Sequence, residues 1–132
     1  MEKLLAVNKS YLIVSPIVSS VIGMSSAGFA ETPPPPYYAV IFTSRRTKGD
    51  NGYSETSDKI VTLVAQQPGF LGVESVRGAD GLGITVSYWA SEEDGLRWRR
   101  NAEHQLAQQL GKKTWYQDYS LRVAEVKRSY IK

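Results

Sequence analysis

Residues 89–110, WASEEDGLRWRRNAEHQLAQQL, decide how the chain folds: a strand ends here, a helix begins, and the one histidine of the chain lies on that helix. Ser91, followed three residues later by Asp94, has the form of a capping box. In such a box a hydroxyl and a carboxylate occupy the first free N–H groups of a helix. Downstream, Trp98, Ala102, Leu106 and Leu110 recur every fourth residue and draw an apolar stripe. Gly111 is placed to end the helix, and Lys112 and Lys113 suit the negative end of its dipole. Arg97, Asn101, His104 and Gln108 form a second, polar stripe beside Trp98. That stripe has two readings: a solvated face with an incidental histidine, or the wall of a site in which His104 is the working group.

Upstream of this segment, residues 84–89 alternate, with Ile84, Val86 and Tyr88 on one face and Thr85, Ser87 and Trp89 on the other, as in a strand. The glycine-rich GADGLG at 78–83 joins it to a strand at 70–77, giving a hairpin. Before that, residues 53–67 read as a helix stopped by Pro68-Gly69, with Thr56, Ile60, Leu63 and Val64 on one side. Residues 37–44, YYAVIFTS, are a strand with apolar groups on both faces, and 45–52 are a polar turn. After the second helix, residues 115–118 bridge to a last strand from Tyr119 to about Tyr130, where Leu121 and Val123 oppose Arg122, Ala124 and Val126. The order β-α-β-β-α-β is the split βαβ pattern of an α+β, ferredoxin-like sandwich. Two helices on one sheet face leave the other bare, and a small domain buries such a face against a second copy, so a homodimer is expected. A cavity between the two sheets, or between one sheet and its second helix, suits a small aromatic molecule.

A chain of 132 residues supports one core, and 42% hydrophobic with 22% charged residues is ordinary for a globular domain. A net charge of +3 without a basic run interleaved with aromatics gives no nucleic-acid surface, and Arg97, Arg99 and Arg100 read as solvated helix charges. Zero cysteines and one histidine leave no thiolate metal site, no thiol nucleophile and no two-histidine metal site within one chain. No metal ligand set is expected. Residues 1–36 stand apart as a leader and proline-rich lead-in, with the domain at 37–132. Lys3 and Lys9 precede a serine-broken apolar run resembling an export signal, too short for stable membrane insertion. Alternatively Met24 is the true start, which corresponds to a cytoplasmic protein.

The runs YYAVIFTS, QQPGFLGVES, ITVSYWAS, WRRNAEH and YSLRVAEVKRSY, spanning 37 to 130, together resemble the antibiotic biosynthesis monooxygenase domain family of dimeric α+β barrels. The late start at Met24, with prolines before YYAVIF, is similar to the beginning of cytoplasmic members. The resemblance implies a dimeric α/β barrel of ferredoxin-like subunits. It also implies oxidation of phenolic substrates by molecular oxygen with no bound cofactor. Such chemistry needs a base, hydrogen bonds for a developing oxyanion and a dry pocket. On that expectation His104 is the base, Asn101 orients substrate or peroxide and Arg122 stabilises negative charge. Trp98, Trp89, Tyr38 and Ser87 then bind substrate. Each has a plainer reading: the tryptophans as core, Arg122 as a partner of Glu74 or Glu125, Tyr38 as core or dimer packing.

Two alternatives remain open. Relatives that degrade haem place their iron ligand about ten residues after the helix tryptophan. Counted from Trp98, that position is Gln108, and His104 is only six residues on, so the haem reading is the weaker one. The other alternative is a stress-associated or carrier protein that holds a small hydrophobic ligand without converting it.

Overall fold

The computed structural model describes residues 28–50, 52–110 and 115–132, so the leader and the choice of start at Met24 lie almost wholly outside the described residues. Six elements follow one another: β1 (Tyr37–Arg46), α1 (Tyr53–Ala65), β2 (Phe70–Arg77), β3 (Leu82–Trp89), α2 (Glu92–Leu110) and β4 (Tyr116–Val126). The strands form one antiparallel sheet in the order β2-β3-β1-β4. This is the ferredoxin-like α+β sandwich that the β-α-β-β-α-β order predicts. No helix among the described residues is long and apolar enough to cross a membrane.

Local chemistry explains the boundaries. Ser91 Oγ accepts the Asp94 N–H at 3.1 Å, and the serine hydroxyl donates to Asp94 Oδ2 at 2.8 Å. The box therefore closes through the hydroxyl instead of the serine backbone N–H. At the front of α1, Gly52 supplies a left-handed residue with no side-chain cap, and Asp50 takes over by accepting from the Ser54 N–H at 3.1 Å. Gly69 ends the link from α1 with a φ of +81°, and Asp94 Oδ2 sits 2.1 Å from where a β-carbon there would be. Any side chain would collide with the α2 cap.

Cross-strand pairs assign the two faces. Val40 opposite Ser87 and Val123, and Phe42 opposite Thr85 and Leu121, share the face under the helices. The core there is Val40, Val64, Trp89 and Trp98, with Ile60, Leu63, Phe70 and Ala102 against it. Trp89 is wholly buried: it stacks on Trp98 at 5.9 Å, meets Phe70 edge-on at 5.7 Å, and donates its Nε1 proton to Ser87 Oγ at 2.9 Å. On the opposite face Ala39, Ile41, Val86, Tyr88 and Ala124 carry no helix, and Val76 and Ile84 remain 55% and 43% exposed.

Two sequence expectations need correction. The last strand begins at Tyr116, not Tyr119, and leaves the sheet after Val126. Tyr116 is buried against Phe42 (5.3 Å) and Tyr53 (5.8 Å), and it pairs with Arg46 beyond a bulge. That packing draws the supposed bridge into the ladder. The lead-in is also tied to the domain: Ala30 is buried, and its N–H donates to Glu74 Oε2 at 3.0 Å.

Candidate functional site

Alternation along the strands and the apolar stripes of the helices meet without filling the space between them. A cavity of about 160 Å³ remains. Val40, Val73 and Leu121 form its floor, and Ile60, Val64, Trp98, Ala102 and Leu106 its roof. Cavities of ~150 Å³ lined by apolar side chains take up a benzene molecule, so this one has room for a single ring. One end is different. There Tyr53, Trp115, Tyr116 and Arg77 line the cavity, with Tyr53 edge-on to Trp115 at 5.9 Å and Arg46 Cζ 3.6 Å from the Tyr53 ring centre. Burial, reinforced by Tyr53, pushes the Tyr116 hydroxyl well above the ordinary tyrosine range, so it stays protonated at neutral pH. Burial also lowers the Arg46 pKa, with Arg77 adding to the effect, against opposing contributions from Tyr53, Tyr116 and Asp50.

Arg77 belongs to the inward phase of β2, with Val73 two pairs before it, and it reaches across the sheet. Its Nη2 donates to Ser44 Oγ at 2.8 Å, and its Nη1 to the carbonyls of Gly81 (2.6 Å) and Ser44 (3.2 Å). This path crosses Gly83, which pairs with Arg77 on one side and Ser44 on the other. A β-carbon on Gly83 would lie 2.7 Å from Arg77 Cζ. The Nε of Arg77 is left over: it is the one buried side-chain nitrogen or oxygen among the described residues with no hydrogen-bond partner.

The sequence-predicted site residues divide. Trp98 and Ser87 line the cavity; Trp89 lies within the core between Phe70 and Trp98; Tyr38 is half-buried and packs on the same core. Asn101, His104 and Arg122 are not brought to it. His104 is exposed, contrary to the expectation that its ring projects inward. Six residues after Trp98, it stands about 120° around the helix from the apolar stripe. Arg97 and Arg99 on α2 pair with Glu93, Asp94 and Glu103, as solvated helix charges do. Arg122 pairs with Ile41 on the bare face, and it donates to Ser120 Oγ at 2.8 Å instead of meeting Glu74 or Glu125. Sequence reasoning passed over Arg77, Ser44, Tyr53 and Tyr116. An arginine in the inward phase of a strand was the available signal for the first. Among the described residues no three His, Cys, Asp or Glu side chains gather as a metal set.

Comparison with known proteins adds four findings. Residues 37–110 match the antibiotic biosynthesis monooxygenase family. The uncharacterized protein YqjZ of Bacillus subtilis is 57% identical over 102 residues, covering 77% of this chain and 90% of that protein. The jasmonate monooxygenase ABM of Pyricularia oryzae is 31% identical over 97 residues, 70% of this chain but only 44% of the fungal protein. In three dimensions, PA3566 from Pseudomonas aeruginosa superposes with a TM-score of 0.51 at 17% identity, over 74% of this chain and 99% of that one, a likeness of fold.

Proposed function

Because the chain belongs to the antibiotic biosynthesis monooxygenase family, we propose that it oxidises a small, electron-rich organic molecule, phenolic or enolisable, held in the cavity between sheet and helices. The apolar cavity of about 160 Å³ where both helices meet the sheet carries this reading. In the proposed reaction a CH2 group activated by the phenol or enol becomes a carbonyl. One oxygen atom of O2 enters the product and the other leaves as water, with the two hydrogens and the electrons coming from the substrate. No external reductant and no bound cofactor are required. The chain's part is to exclude water, hold the ring against Trp98 and Val73, and offer N–H and O–H donors from Arg77 and Tyr116 to the developing oxyanion. The similarity to a protein named for jasmonate fits a substrate with one small ring. Haem fits poorly, because the cavity has space for a single ring and its described lining contains no histidine.

The bare face, with Val76 and Ile84 exposed, supports a homodimer as the working unit. Oxygen consumption by the purified protein, measured with monocyclic phenols and enolisable ketones in the presence of a chelator, tests the oxidation. Uptake in step with substrate is expected. A second reading, a carrier that binds without converting, is favoured by one observation: among the described residues no Asp, Glu or His lines the cavity to take the substrate's proton. Ligands that bind tightly and never consume oxygen would establish that reading instead.

A further inference from the structure

We infer that Gln105 is the residue that recognises the ligand of this cavity, and that the ligand is a neutral phenol or enol with one small ring, whose O–H donates to the Gln105 carboxamide oxygen. The inference rests on the cavity being the ligand site, as proposed above, and names the group by which that site selects. It does not depend on turnover.

Phase on the helix is the first observation. Gln105 follows Trp98 by seven residues, which returns to within about 20° of the same direction, and it lies between Ala102 and Leu106 in a stripe that otherwise faces the core. Gln105 accordingly lines the cavity together with Trp98, Ala102 and Leu106. Packing alone would place an apolar side chain there, because an amide taken from water needs partners. The second observation is that the carboxamide is uncommitted. Among the described residues no hydrogen bond or ion pair engages it, whereas the Ser87 hydroxyl is engaged with Trp89 and Val40, and the Thr85 hydroxyl with Ser75 at 2.7 Å. Gln105 is half-buried, and the one sealed, unpartnered side-chain atom among the described residues is Arg77 Nε, so the amide nitrogen and oxygen both stay accessible.

The third observation is the sense of the cavity. α2 starts just after Trp89, near the row Val73-Ser87-Val40, while β4 begins at the opposite end of the sheet, where Tyr116 pairs with Arg46. Gln105 lies about 10 Å further along α2 than Trp98. The apolar part of the cavity therefore surrounds Trp98, Val40 and Val64, and the polar part holds Gln105, Tyr53 and Tyr116. Tyr116 keeps its proton at neutral pH and is a donor there; Gln105 adds an acceptor. A hydroxyl answers both, since it donates one proton and accepts at the same oxygen. With no carboxylate or histidine in the described lining, that hydroxyl is bound with its proton in place.

The test titrates phenol and toluene, which share a shape and differ in the hydroxyl, into the intact protein by two-dimensional NMR, for the wild type, Gln105→Met and Gln105→Glu. Gln105→Met keeps the length of the side chain and suits the apolar stripe, so its melting temperature should be no lower than that of the wild type. It should weaken phenol about tenfold and leave toluene unchanged or tighter. Gln105→Glu retains only acceptor oxygens and should bind phenol at least as well as the wild type, a rescue that a merely structural role would not produce. Equal loss of both ligands in Gln105→Met, undiminished phenol binding, or a melting temperature lower by several degrees overturns the inference and leaves the cavity reading intact. Loss of phenol in Gln105→Glu also overturns it, by assigning the contact to the amide nitrogen. Binding of neither ligand to the wild type overturns both readings. Hydroxyl-selective binding without oxygen consumption supports the role of Gln105 while ending the monooxygenase reading.

Discussion

Arg77 lies flat across Gly83 to reach Ser44, with Nη2 2.8 Å from Ser44 Oγ and Cζ 2.7 Å from the point where a side chain on Gly83 would begin. The contact joins three strands in one row. Gly83→Ala should therefore destabilise the fold by about 1–3 kcal/mol through overpacking. The cost should be smaller in an Arg77→Met background, because the clash is mainly with the arginine head. Urea unfolding of the two single variants and the double variant measures the coupling. Strictly additive losses would show that the two residues do not press on each other.

Ser87 is the acceptor for the buried Trp89 Nε1 proton and itself donates to the Val40 carbonyl at 3.5 Å. Ser87→Ala leaves the indole N–H without a partner in a fully buried position. A loss of about 1–3 kcal/mol is expected, against little for the same change on the surface. An unfolding midpoint equal to that of the wild type would contradict this account of Trp89.

Ala102 lines the cavity, whereas His104, two residues later, is exposed. Ala102→Leu should fill part of the space, preserve or raise the melting temperature, and weaken binding of monocyclic ligands at least tenfold. His104→Ala should alter neither melting temperature nor ligand affinity. Ligand titrations of both variants check the contrast. A large loss of affinity or of oxygen uptake in His104→Ala would return the imidazole to the site.

Two tyrosines set the alkaline limit. Burial pushes the Tyr116 hydroxyl well above its ordinary value, with Tyr53 adding to the effect; burial followed by the 2.7 Å hydrogen bond to Glu74 does the same for Tyr88. Both groups have a folded pKa above the unfolded one, so the unfolded chain loses these protons first as pH rises. Their contribution to stability is complete below about pH 10 and falls as pH climbs beyond it toward the folded values. Denaturation midpoints taken from neutral to strongly alkaline pH should be flat with respect to these groups and then decline. The phenolate absorbance of these two rings should appear only with unfolding; its appearance in folded protein near pH 10 would contradict the burial argument.

Residues alone determined the order of elements, the faces of β3 and the cap of α2. Strand alternation, a 3.6-residue stripe and the Ser91–Asp94 box are local, and each is complete within a few residues of chain. Even the outward direction of His104 was implicit in its angular offset from Trp98. What the pattern could not reveal was which side of that stripe bounded a cavity. Nor could it show that Tyr116 would join the ladder opposite Arg46, or that Arg77 would find Ser44, 33 residues away. Those pairings exist because the sheet runs β2-β3-β1-β4, which sets Gly83 between Arg77 and Ser44. Strand order and register are collective outcomes of packing, and the placing of a buried charge depends on them.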